Sequence, residues 1–408
     1  MTYLNAKKYM ISAPYSNGKG HSNILELLDS LGSPQRRMKY LRLAGSNGKT
    51  VCAEMLTSVL IKGGYTVGCL RMPLREEPTD NVCIGNKCLS MDQFAQYTSA
   101  IKRLGAGLDF IPTQSELLLS VALLAFKDAG CDICIIESDH FGEDPSRFLP
   151  PPFAAVICGT IPSDDTEQIT RIRSYICRGI EEIVSAPQNS EAYSIISDTC
   201  YSVNCRLTLP TRNAISIDKL TFRGSEFHYK NVKYTLSLSG RFQISNAVLV
   251  IETLEMLARK GFSISVDSIN AGLSNLRIPA KFETVSLFPL IIVDSTHTPV
   301  AIETVCDSLS DFKAQTGTNV RLCLPSGKII PDYVDALERR GYTIESIYTP
   351  ASDGIASDSR IVPCNTQKAL VNGVLSNLDK NTLLLVSGNH KFVIPVRHRM
   401  LEALGFRF

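Results

Sequence analysis

The chain has 408 residues, 44% of them apolar and 20% charged, with a formal charge of +2. That length exceeds one hydrophobic core and predicts two or three domains, while near-neutral charge gives no motive for binding nucleic acid or an anionic membrane. No apolar run approaches the ~20 residues of a bilayer span, and the opening M-T-Y-L-N-A-K-K-Y lacks the apolar centre of a secretory signal.

Residues 1–39 read as helical and amphipathic. His21, Ser22 and Asn23 stand where a cap would precede the run Ile24, Leu25, Leu27, Leu28, which ends at L-G-S-P. Residues 40–44 form a short apolar strand pattern. Gly45-Ser46-Asn47-Gly48 then makes a tight turn, Lys49 and Thr50 follow, and Val51, Met55, Leu56, Val59 and Leu60 keep a helical period. Strand, glycine loop, G-K-T and helix is the build of a phosphate cradle. Loop N–H groups and the positive helix end face the anion. Lys49 reaches the outer phosphates and the Thr50 hydroxyl is placed for Mg²⁺. Only Ser46 and Asn47 separate the two glycines, so the loop is shorter than G-x-x-x-x-G-K-[ST].

Gly63-Gly64 turns the chain into a second strand over 65–70, which implies a right-handed crossover in a parallel sheet. Residues 71–90 are turn-rich and polar. Residues 113–129 read as a helix capped by Thr113 with Glu116 completing a capping box. Apolar strands follow at 131–137 and 153–159, as a doubly covered parallel sheet requires. Residues 167–184 read as helical, 190–238 as short β-rich pieces of the same domain, and 243–260 as helical. From about residue 286 the alternation restarts: strands at 290–294, 320–324, 343–348 and 382–387, with helices at 299–311, 331–340, 367–377 and 393–403. The fold class is therefore α/β, with a hinge near 284–288 and domains at 1–285 and 286–408. The 13 cysteines are odd in number and without framework spacing, which predicts reduced thiols in a cytoplasm. The single C-x-x-C, Cys131 to Cys134, reads as strand core.

These motifs together resemble the Mur ligase superfamily, in particular its folylpolyglutamate and dihydrofolate synthase branch. A-G-S-N-G-K-T is similar to that branch's A-G-T-N-G-K-G. G-R-F-Q-I-S-N-A at 240–247 resembles the segment near the adenine, and R-I-P-A-K-F-E at 277–283 resembles W-P-G-R-F-E. V-D-S-T-H-T-P at 293–299 resembles D-G-A-H-N-P, and L-L-L-V-S-G-N-H at 383–390 resembles the family's last strand. The resemblance implies a P-loop central domain with a mostly parallel sheet and a smaller Rossmann-like C-terminal domain. It implies ATP and Mg²⁺, with a small-molecule carboxylate and an amino acid joined through an acyl phosphate. Gly45, Ser46, Asn47, Gly48, Lys49, Thr50, Gln243, Asn246 and Lys281 would hold the nucleotide. Thr50, Glu137 and Asp165 would hold metal, and Lys49, Asp294 and His297 would serve catalysis.

The sequence departs from the family at several of its positions. Met72 stands where a metal-assisting serine is expected, Cys177 where a carbamylated lysine is, and Lys281 in place of an arginine. After Glu137 the family's glycine-rich run is replaced by S-D-H-F-G-E-D-P-S-R-F, with Gly142, Asp144 and Arg147 in loose register. These departures motivate a second reading: a nucleotide-binding member with altered catalysis that serves a protein partner. A third, an NTPase or kinase of another P-loop class, is disfavoured by the short loop and by D-S-T-H-T-P.

Overall fold

The computed structural model describes residues 1–15, 23–45, 47–138, 145–150, 154–161, 171–173, 175–176, 179–325, 327, 329–351, 358–379 and 381–405. The chain divides into two compact units. One comprises Met1–Asn213 with Asn246–Leu273, the other Ala214–Ser245 with Ser274–Phe408.

The first unit is built on an eight-stranded sheet ordered β4-β3-β2-β5-β1-β6-β7-β8. Its strands are β1 (Tyr40–Gly45), β2 (Val67–Leu70), β3 (Val82–Ile84), β4 (Lys87–Cys88), β5 (Ile133–Glu137), β6 (Ala154–Cys158), β7 (Glu182–Ser185) and β8 (Arg206–Thr208). All neighbours run parallel except β3 and β4, which return antiparallel beside β2. The central strands are buried throughout, because helices cover both faces. On one face α1 (Tyr3–Ser12), α2 (Ile24–Ser30), α4 (Met91–Leu104) and α5 (Gln114–Asp128) contribute Met10, Leu27, Phe94, Leu118 and Phe126 to a core with Ile136. The expected capping box forms at α5: Glu116 N–H donates to Thr113 Oγ1, and Thr113 N–H donates to Glu116 Oε2. Such a box contributes about 1 kcal/mol. Helix α3 (Lys49–Lys62) packs so closely on helix Val266–Leu273 that a Cβ on Gly272 would lie 2.6 Å from Val59 Cα.

The second unit holds a six-stranded sheet ordered β12-β13-β17-β14-β15-β16. Its strands are β12 (Glu283–Leu287), β13 (Leu290–Asp294), β14 (Asn319–Cys323), β15 (Thr343–Pro350), β16 (Ile361–Cys364) and β17 (Thr382–Ser387). Alternate residues feed opposite cores: Ile292, Leu322 and Leu385 enter one, and Ile291, Val293, Leu384 and Val386 the other. That period-2 split with both faces apolar is what a sheet sandwiched by helices requires. A separate antiparallel sheet, β11-β10-β9, uses β9 (Ile215–Thr221), β10 (Gly224–Tyr229) and β11 (Val232–Leu236).

Several sequence expectations need correction. The helix expected over 167–184 is described only at 171–173 and 175, and Glu182–Ser185 is instead β7, paired with β6 and β8. The β-rich reading of 190–238 missed helix Ser190–Ser202, whose buried Ala192, Ile196 and Cys200 recur every four residues. Strands β9–β11 group with the second unit rather than the first. Residues 284–288, expected as a hinge, lie in and just after β12, which pairs antiparallel with β13. The thiols are not all reduced: Cys83 and Cys88, directly opposite across β3 and β4, form a disulfide, whereas Cys131 and Cys134 remain free.

Candidate functional site

The loop after β1 is dictated by steric limits on both sides. Gly45 sits at φ +135°, and a Cβ there would lie 1.9 Å from the Cys158 carbonyl oxygen. Gly48 sits at φ +84°, where a Cβ would lie 2.7 Å from Asn246 Oδ1. Only glycine fits either position. Gly48 is the N-cap of α3, and no side chain caps that helix. The first helical bond runs from Cys52 N–H to Gly48 O, so the N–H groups before it are left for another acceptor.

Lys49 folds back and donates from Nζ to Gly45 O at 2.6 Å. One position on, the Thr50 hydroxyl donates to Glu137 Oε2 at 3.0 Å. Glu137 closes β5, parallel and adjacent to β1, with Leu43 and Glu137 in register. Sheet topology therefore carries a residue distant in sequence to the loop's mouth, at the carboxyl edge where ligands bind in open α/β sheets. Glu137 is only 2% exposed, and its Oε1 has no partner among the described residues. Burial raises its pKa above the usual carboxylate range, and Arg75, Arg71 and Lys49 oppose that rise. An unpaired buried carboxylate oxygen costs about 1–3 kcal/mol.

The arginines come from the segment leaving β2. Arg71 is buried and pairs with Glu54 of α3, while its Nη1 also approaches Asp80 O at 3.2 Å and Cys83 Sγ at 2.7 Å. Buried Asn81 pins the bow between them, donating from Nδ2 to Arg71 O at 2.6 Å and Pro73 O at 2.8 Å and accepting Arg75 N–H at 2.9 Å. Sequence reading passed over this trio. Its only signal was two arginines flanking a proline in R-M-P-L-R. Met72, in the expected metal-site loop, is buried at 7% exposure and packs in the core.

The second unit gathers another group. Asp294 ends β13 at 3% exposure, accepts Phe282 N–H at 2.7 Å and lies beside the hydroxyl and backbone N–H of Thr296. Burial raises its pKa, opposed first by the charge on Lys281. Lys281 is presented by a tight turn in which Ala280 and Phe282 both take φ +54°. That turn is clamped by Ser295 N–H to Ala280 O at 2.8 Å and by Glu283 Oε2, which accepts Ala280 N–H at 2.9 Å. Arg397 forks onto the same carboxylate with two 2.6 Å bonds. Gln243 is buried and reaches the Lys281 carbonyl at 3.4 Å. His297 is exposed, its Nδ1 3.4 Å from Ser295 O, and has no hydrogen bond to Asp294.

The structure thus brings Gly45, Gly48, Lys49, Thr50, Glu137 and Asn246 together in the first unit, and Gln243, Lys281 and Asp294 in the second. Asn47 is exposed at the loop. Ser46, Asp165, Cys177, Gly142 and Asp144 lie outside the described residues.

No family model matches the chain. Its homologues are folylpolyglutamate and dihydrofolate synthases. It is 24% identical over 367 residues to the folylpolyglutamate synthase of Lacticaseibacillus casei, spanning 85% of each chain. It is 22% identical over 416 residues to the dihydrofolate synthase/folylpolyglutamate synthase of Bacillus subtilis, spanning 93% of this chain and 95% of that one. Among solved structures, the apo L. casei enzyme superposes with a TM-score of 0.81 at 20% identity, covering 99% and 100% of the two chains. A solved FPGS complex with AMPPCP and folate gives 0.81 at 21% identity, covering 99% and 100% of the two chains. The Mycobacterium tuberculosis enzyme with ADP and AMPPCP gives 0.80 at 19% identity, covering 100% of this chain and 98% of that one. The fold is that of these synthases.

Proposed function

We propose that the chain is an ATP-dependent ligase that joins an amino acid to a carboxylate through an acyl phosphate, in the manner of its folylpolyglutamate synthase homologues. The observation that carries this reading is the Thr50–Glu137 pair, with its bare Oε1, at the uncapped start of α3 beside Lys49. A carboxylate is a poor electrophile, and phosphorylation turns one of its oxygens into a leaving group. Catalysis is then mostly positioning and offset of phosphate charge. In this reading the loop N–H groups and Lys49 bind the phosphates, Asn246 lies against the loop, and Ser46 and Asn47 are proposed to take part in holding the nucleotide. Gln243 and Lys281 are proposed to hold the nucleotide, and Asp294 and His297 to serve catalysis. The units are proposed as the ATP-binding and C-terminal domains, in place of a simple split at 285.

Mg²⁺ suits the residues present. Thr50 and Glu137 offer hard oxygen donors, and a desolvated, unpartnered Oε1 needs a cation. Thr50 and Glu137 would hold it, and Asp165 is proposed as a further ligand. Bound there, Mg²⁺ would offset phosphate charge.

The acid proposed first is a folate and the amine glutamate, following the homologues. No helix among the described residues is long and apolar enough to cross a membrane, and we place the chain in the cytoplasm on its buried free thiols. Neither a nucleic acid nor a protein partner is invoked. The test is phosphate release with Mg²⁺ and ATP, alone and with acid and amine, and the mass of the product. Release should require both substrates and should vanish in Lys49→Ala. Unchanged release in that variant overturns the reading.

A further inference from the structure

The segment between β2 and β3 carries a cation that neither its neighbours nor the reading above uses. Its backbone is rigidly placed. Leu70 pairs with Ile136, so the chain leaves β2 beside Glu137. Asn81, fully buried, then holds Arg71 O, Pro73 O and Arg75 N–H with one amide. Arg71 and Arg75 have different fates. Arg71 is matched by the Glu54 carboxylate and by the Asp80 carbonyl. Among the described residues the Arg75 guanidinium has no hydrogen-bond or ion-pair partner, although the residue is only partly exposed. A half-desolvated cation without a partner is costly and marks an anion site. Glu137 is the strongest opposing charge acting on Arg75, and Arg75 is the strongest cation acting on Glu137. Yet the two do not pair, since Glu137 Oε2 is taken by Thr50 and Oε1 is bare.

We propose that Arg75 contacts the terminal phosphoryl group of the bound triphosphate and stabilises that group as it passes to the substrate carboxylate. The inference rests on the ligase reading above. A planar guanidinium presents paired donors to phosphoryl oxygens, which a methionine or leucine of the same loop could not do. Met72 and Leu74 contribute no charge, Arg71 is matched by Glu54 and Glu77 by Lys7, so Arg75 is the cation this segment offers to an anion.

The experiment compares ADP with AMPPCP, which keeps a third phosphorus, by calorimetry with Mg²⁺ on the full chain. In Arg75→Met, AMPPCP binding should weaken about tenfold, the loss of one charge-assisted contact, with ADP binding unchanged. Arg75→Lys should restore part of the difference. Ligation kcat in Arg75→Met should fall about 100-fold, as for loss of one preorganised donor. Equal weakening of both nucleotides, or of neither, overturns the proposal. Phenylglyoxal labelling of the wild-type chain gives an answer that does not depend on variant folding. Arg75 should be protected by AMPPCP and not by ADP, and equal labelling overturns the assignment. If the wild-type chain binds neither nucleotide, the ligase reading falls with it; if it binds both and Arg75→Met changes nothing, only Arg75's role falls.

Discussion

The Thr50 hydroxyl and the Glu137 carboxylate, 87 residues apart in the chain, meet at 3.0 Å. Parallel pairing of β1 with β5 brings them together, and a buried, half-satisfied carboxylate results.

The first prediction concerns that carboxylate. Burial raises the folded pKa of Glu137 above its unfolded value. The folded state therefore holds the proton more tightly, and stability contributed by the protonated form is lost as pH rises from the unfolded pKa through the folded one. Glu137→Gln removes the ionisation. Without Mg²⁺, its melting temperature should exceed that of the wild-type chain at pH 7, and the gap should close on acidification below about pH 4.3, the ordinary glutamate pKa. A gap that widened on acidification would contradict the burial of Glu137.

Gly48 should tolerate no side chain. Gly48→Ala puts a Cβ 2.7 Å from Asn246 Oδ1 at φ +84°. A cost of about 1–3 kcal/mol is expected from the strained backbone, with loss of nucleotide affinity as the loop shifts. Asn246→Ala should recover part of the clash and none of the φ strain. Denaturant unfolding of the single and double variants measures both parts.

The clamp under Lys281 should behave as one unit. Glu283 ties Ala280 N–H to the Arg397 fork. Arg397→Met and Glu283→Gln should each destabilise by about 2 kcal/mol, because each leaves a partly buried charge unmatched. The double variant should cost less than the sum. Strict additivity in a double-mutant cycle would show that the fork contributes nothing.

The Cys83–Cys88 bridge closes a loop five residues long. Loop-closure entropy predicts about 2 kcal/mol of stabilisation. Alkylation of the unfolded, unreduced chain should leave these two cysteines unlabelled, and prior reduction should expose them. Labelling of both without reduction would place the chain in its dithiol state.

Much of the fold was legible because it rests on local signals. The strand at 290–294 and the strand at 382–387 appear at the expected bounds, since uninterrupted apolar runs flanked by turns admit few alternatives. The capping box at Thr113 and Glu116 was equally plain. Helix Ser190–Ser202 was missed because only three of its residues are buried, and its serines and tyrosines interrupt the helical apolar period. Strand β7 was missed because Glu182, at 6% exposure, reads as a solvent residue. Its carboxylate is in fact matched by Thr208 and Arg259 from distant segments.

The sequence alone determined the glycine loop between β1 and α3, since strand, glycines, lysine, threonine and helix are contiguous. It also determined Glu137 as a strand-end carboxylate. Only the tertiary structure decided that Arg71 is matched by Glu54 while Arg75 is not, that Asp294 turns inward to Lys281 and His297 outward, and that two cysteines face each other. These outcomes depend on which side chains converge and which are cut off from water. Sequence spacing encodes neither, because both are set by strand order and by packing across segments distant in the chain.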